Sequence, residues 1–172
     1  MDSQIARADT YLSQDVPNWI QAELGVDANH AHWAFGGFSY GGTCAIQMAT
    51  RHTDLYPSFI NISGEREPAI SSDRTQTIQA AFGGNAAAFD ALTPLTLLGK
   101  NRYPDVWGYF AAGGGDPEFL PAMKEVSAAA QKAGMRVQTQ VVPNEGHSWA
   151  VPGAATLPAL RWLAPRLGLA HR

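Results

Sequence analysis

Apolar residues recur every three or four positions through Ile5, Ala8, Leu12, Val16, Trp19 or Ile20, and Leu24, a spacing that predicts helix. Pro17 interrupts the stretch, which reads as two short helices or one kinked helix, with Asp15 as a candidate cap and Gly25 as the stop. The short apolar run "HWAFGG" (32–37) reads as a buried strand. From Ser39 to about Arg51 the pattern turns helical, with Gly42, Ala45, Met48 and Ala49 on the inner face. "SFINIS" (58–63) predicts a second strand, and the polar "GEREPAISSDR" after it a loop. Helical segments follow from about Thr75 to Leu98, broken by Gly83-Gly84 and by Pro94. "VWGYFAAG" (106–113) predicts a third strand. Residues 117–133 predict a helix with Pro117 near its first turn and Gly134 at its end. "MRVQTQVV" (135–142) predicts a fourth strand, alternating enough for an outer position. Leu157, Leu160, Leu163 and Leu167 mark a last helix. Strands alternating with helices imply an α/β chain with a parallel sheet covered on both faces.

Composition changes this picture little. The 172 residues suit one domain, 1–172, that buries roughly 70% of its unfolded surface. A net charge of −3 and the lack of a basic run argue against nucleic acid as a partner. No apolar run approaches the ~20 residues of a membrane helix. No charged, apolar, small-residue leader opens the chain. Cys44 is the single cysteine and forms no internal disulfide. No Cys/His cluster points to a metal, and no cofactor is expected.

The chemistry lies in "GGFSYGGTCAIQMA" (36–49). Gly37-Phe38-Ser39-Tyr40-Gly41 fits G-x-S-x-G, the nucleophile elbow of α/β-hydrolases, between a predicted strand and a predicted helix. The serine of such an elbow sits on a turn so tight that its neighbours must be small. The helix after it aims its N-terminal amides at developing negative charge. The Tyr40 amide, next after the serine, is then an oxyanion donor. Gly42 and Cys44 would let that helix approach the sheet. A serine nucleophile needs a base, and the base an orienting acid. In this fold the chain order is Ser, acid, His. Asp116 follows the third predicted strand in "AAGGGDPEF", and His147 follows the fourth in "PNEGHSW". The carboxyl ends of parallel strands form one functional edge, so Ser39, Asp116 and His147 are expected to converge there.

Other readings compete at each position. Asp116 before Pro117 also suits a plain helix cap, and Glu118 is the next candidate acid. His30, His32 and His52 lie on the wrong side of the chain order to be the base. Cys44 reads as packing. Trp149 either lines the acyl pocket or covers the sheet. Glu65 and Glu67 follow the second strand, as a solvated loop or as substrate contacts.

"GGFSYGGTCAIQMATRHTDLYPSFINISGE", "AAGGGD" and "GHSW" resemble actinobacterial esterases of the esterase D and mycolyltransferase-like group of α/β-hydrolases, over about Ile5 to Leu167. The resemblance implies a serine hydrolase or acyltransferase acting on a small-molecule ester, with Ser39, Asp116 and His147 as the triad. It also implies an extracytoplasmic or membrane-attached setting. A full member has about eight strands with the elbow after the fifth. Here one helical region precedes the elbow, so the expected fold is the C-terminal half of an α/β-hydrolase, about four parallel strands with helices on both faces. The loop that normally gives the other oxyanion amide is absent. A weak or non-catalytic hydrolase-like module is the alternative to an esterase. The strand at 32–36 would be left an open edge, from which a homodimer is expected, unless residues 1–31, with Tyr11, Trp19 and Ile20, fold over it.

Overall fold

The structure, a computed structural model, describes residues 1–169; the last three positions of the 1–172 domain reading lie outside the described residues. The elements are α1 (Ala8–Thr10), a π-helical turn (Tyr11–Asp15), α2 (Val16–Glu23), β1 (Ala34–Phe38), α3 (Tyr40–Arg51), β2 (Ser58–Ile62), α4 (Arg74–Phe82), α5 (Ala86–Asp90), α6 (Pro94–Lys100), β3 (Trp107–Gly113), α7 (Phe119–Lys132), β4 (Arg136–Val142) and α8 (Ala150–Leu163). The strands form one parallel sheet in the order β1-β2-β3-β4. This is the α/β architecture the alternating pattern predicts, with β4 in its outer position.

The two faces of the sheet make two cores. Phe59 and Phe110 meet edge to face, ring centroids 5.2 Å apart, and pack with Ala45, Ile46 and Ala49 of α3 and Met123, Val126 and Ala130 of α7. Ile60, Ile62, Tyr109 and Ala111 face the other way, onto Val151, Ala155, Ala159 and Leu163 of α8. Alternation along each strand supplies both faces, so strands buried on both sides read as nearly continuous apolar runs.

Three expectations need correcting. Pro17 does not break the first helical region: α1, the π turn and α2 follow one another directly. The wider turn accommodates the amide that proline lacks. Asp15 makes no side-chain cap there. Pro117 precedes α7, which starts at Phe119. The last helix forms as expected, α8 carrying Leu157, Leu160 and Leu163; Leu163 is fully buried with Ala155 and Ala159, while Leu157 is 54% and Leu160 42% exposed. The phase of α8 follows the close approach to the sheet that alanine permits, and bulk alone misplaces it.

Candidate active site

β1 runs into α3 through one residue. Ser39 holds φ 57°, ψ −122°, a region that non-glycine residues avoid and that stores strain. Its amide donates to the Ile62 carbonyl at 2.8 Å, and its own carbonyl accepts from the Gly42 and Thr43 amides at 2.9 and 3.1 Å. These bonds hold the strained turn in place. Of the elbow glycines, Gly37 is the one its neighbours force. A Cβ there would lie 2.5 Å from the Gly41 carbonyl carbon, whereas one on Gly41 would meet open space. A Cβ on Gly42 would lie 2.8 Å from the Ile62 carbonyl oxygen. Gly42 thus lets α3 approach the sheet as expected. Cys44 does not share that role; it is part-exposed and lines a cavity on the far side of α3.

The loops after β3 and β4 bring the other two residues in. A Cβ on Gly113 would fall 2.3 Å from the Glu145 carbonyl oxygen and 2.4 Å from that of Gly146. The Gly114 amide donates to Val142 and the Gly115 amide to Glu145, both at 2.8 Å. The glycines of "AAGGGD" therefore let two loops lie backbone to backbone, and Asp116 comes to face His147.

His147 Nε2 is 2.9 Å from Ser39 Oγ. Its Nδ1 is 3.5 Å from Asp116 Oδ2. Asp116 is 4% exposed. Its two oxygens divide the work. Oδ1 accepts from the Glu118 and Phe119 amides at 3.0 and 2.9 Å, the capping role anticipated as a rival reading. Oδ2 has no hydrogen-bond partner among the described residues, and faces His147. Glu118 instead stands exposed at the start of α7. Of the other histidines near the elbow, His52 pairs with Asp9 at 3.0 Å and His30 with Gln21 at 3.0 Å, while His32 pairs with Asp27.

Two aromatic rings that no sequence motif marks pack against His147. Phe38 stacks on one side of the imidazole (centroids 4.8 Å, planes 24° apart) and Phe119 also stacks on it (4.1 Å, 24°). Phe38 is the variable residue of the motif just before Ser39, and Phe119 opens the helix that Asp116 caps. Their adjacency to motif residues was the one available signal. Trp149 is 78% exposed and leans on Phe38, ring centroids 5.0 Å apart. Tyr40 sits at the first turn of α3, where amides precede the first intrahelical bonds.

Glu65 is half-buried beside the same cleft. Its amide donates to Thr43 Oγ1 at 2.9 Å, and that hydroxyl donates to Glu65 Oε2 at 3.3 Å. Burial pushes its carboxyl above the ordinary range, helped by the charge of Glu118, despite the Thr43 hydrogen bond. Glu67 is instead tied to Arg74 at 2.7 Å. Around this corner lies an open polar cleft of about 520 Å³, bounded by Glu65, Glu118 and Phe119.

The model of the putative esterase family matches residues 3–160. An uncharacterized protein of Corynebacterium glutamicum is 37% identical over 98% of this chain and 41% of its own length. A ferulic acid esterase structure superposes with a TM-score of 0.78 at 18% identity, over 98% of this chain and 64% of that one. An S-formylglutathione hydrolase from Agrobacterium tumefaciens gives 0.77 at 18%, over 98% and 62%. A fluorophosphonate-binding serine hydrolase of Staphylococcus aureus gives 0.71 at 15%, over 92% and 63%. The chain thus spans about two fifths of its curated relative and somewhat under two thirds of these solved structures.

Proposed function

Since the chain belongs to the putative esterase family, we propose that it carries a serine-dependent carboxylic ester hydrolase site built on Ser39, His147 and Asp116. The observation that carries this reading is the 2.9 Å contact between Ser39 Oγ, on its strained elbow, and His147 Nε2. In this scheme His147 carries its proton on Nδ1, towards Asp116, and leaves Nε2 free to accept the Ser39 proton as Oγ attacks the ester carbonyl. The carbonyl oxygen becomes an oxyanion facing the Tyr40 amide. His147 then returns the proton to the departing alcohol, leaving an acyl group on Ser39. Water, deprotonated by the same imidazole, attacks this acyl-enzyme, releases the acid and restores Ser39. With acceptor alcohols in place of water the same site is an acyltransferase. Trp149, exposed beside Phe38, is the residue proposed to touch the substrate.

The 3.5 Å gap at Asp116 is longer than a normal hydrogen bond. Such gaps are common in unliganded sites and close as the reaction proceeds. Asp116 Oδ2, buried with no partner among the described residues, gains most when the gap closes, because positive charge then develops on the imidazole. One oxyanion donor is worth about 3–4 kcal/mol, or ~10²–10³ in rate. Replacing Ser39 by Ala should abolish hydrolysis of p-nitrophenyl acetate; a variant that keeps most of the parent rate contradicts the assignment.

β1 is a sheet edge. Tyr11 and Trp19 are 57% and 58% exposed and do not cover it, although Val16 and Ile20 of α2 line an apolar groove beside Trp33 and Phe35. Ala34 and Gly36 on this edge are exposed, with no proline or lysine to blunt it. We assign the groove to a second copy of the chain. Sedimentation at micromolar concentration should show a dimer; a clean monomer removes the proposal.

A further inference from the structure

Resting on the esterase reading above, we propose that the apolar cavity behind Tyr40 is the acyl pocket, and that it selects short, saturated acyl chains of about four to six carbons. The cavity lies on the side of α3 away from the sheet and measures about 140 Å³. Tyr40 stands at its rim, Cys44 and Met48 continue the wall along α3, and Ala81 and Phe89 close it from α4 and α5. Met48 and Phe89 are each 1% exposed and Ala81 7%, so the depth of the cavity is shielded from water. Tyr40 and Ile70 on its rim are 48% and 54% exposed.

Position relative to the nucleophile makes the cavity a chain pocket. Tyr40 follows Ser39 directly, and its amide is the proposed oxyanion donor. A carbonyl held between Ser39 Oγ and that amide carries its acyl chain past the Tyr40 ring. On the other side of this rim, Ile70 also borders the polar cleft that contains Glu65 and Phe119. Ala69 and Ile70 line both spaces, so the two share a wall and differ in character, a polar cleft for the alcohol and an apolar one for the acid. Size sets the chain length. An apolar cavity of roughly 150 Å³ holds a benzene-sized, six-carbon group and stays dry when empty. Acetyl leaves most of the space unfilled, and a decanoyl chain exceeds it.

The geometry gives two readouts. Along p-nitrophenyl acetate, butyrate, hexanoate and decanoate, kcat/KM should rise up to roughly fourfold per added methylene to about hexanoate and then fall. Ala81→Leu, which fills the pocket, should lower the hexanoate-to-acetate ratio at least tenfold. A flat series, or a ratio unmoved by Ala81→Leu, overturns the proposal while the esterase reading stands. The second readout needs no turnover and no variant. Cys44 is the single cysteine and lines the cavity wall. Heptan-2-one should therefore slow alkylation of Cys44 by iodoacetamide several-fold where acetone at equal concentration does not. Equal rates with the two ketones overturn the pocket. If no ester is turned over at all, the esterase reading fails and the ketone experiment still decides whether the cavity takes an apolar chain.

Discussion

The ring of Phe119 lies over the imidazole of His147, with centroids 4.1 Å apart and planes 24° from parallel. With Phe38 also stacked on His147, rotation of the imidazole is restricted to positions that keep Nε2 near Ser39 and Nδ1 near Asp116. Stacked aromatic pairs are worth about 0.5–1.5 kcal/mol beyond their buried area. Phe119→Ala should lower kcat roughly two- to tenfold with little change in KM, and Phe119→Tyr should restore most of the loss. Equal kcat in the alanine variant and the parent would show that the stack does not position the base.

Asp116 offers a clean separation of roles, because one oxygen caps α7 and the other faces His147. Asp116→Asn keeps a capping oxygen but removes the charge, so kcat should fall by about 10³–10⁴ while the unfolding midpoint barely moves. Asp116→Ala should lose the same activity and also about 1 kcal/mol of stability. Steady-state kinetics and urea unfolding on both variants check this; an asparagine variant with near-parent kcat leaves Asp116 as a cap alone.

The two glycines of the elbow should behave differently. Gly37→Ala places a methyl 2.5 Å from the Gly41 backbone and should cost about 1–3 kcal/mol or prevent folding. Gly41→Ala meets open space inside α3. Helix propensity should make it neutral or stabilising by up to about 1 kcal/mol. Thermal unfolding ranks them, and equal destabilisation would contradict the packing described.

Glu65 gives a pH signature. Its carboxyl is raised by burial, so the folded chain binds that proton more tightly than the unfolded chain does. Its contribution favours folding below the ordinary glutamate value of about 4.3 and is lost as pH rises through the raised one. Glu65→Gln keeps an acceptor for Thr43 and cannot ionise. Relative to the parent, it should gain more stability at pH 7 than at pH 4. Urea midpoints that shift equally at the two pH values rule this out.

These contrasts show which parts of the molecule were legible in the sequence. The convergence of Ser39, Asp116 and His147 is legible because each follows a strand, and a parallel sheet carries all strand ends to one edge. The strands themselves stood out as apolar runs, since both faces of the sheet are covered. The phase of α8 was not readable, because Ala155 and Ala159 outrank Leu157 and Leu160 only once the sheet is there to approach. Pro17 looked like a break because sequence spacing does not reveal a π turn. The Phe38 and Phe119 stack depends on two loops closing together, which no periodicity encodes. Cys44 lies two residues beyond Gly42, and two steps along a helix turn a side chain by about 200°, so it faces the cavity and not the sheet.

The most direct test of an activated Ser39 is covalent labelling by a fluorophosphonate, which requires a serine with a working base but little substrate recognition. A single adduct is expected, mapped by peptide mass spectrometry to Ser39, formed by the parent chain and lost in His147→Ala. An unlabelled parent, an adduct on another residue, or Ser39 labelling that persists at the parent rate in His147→Ala would contradict it.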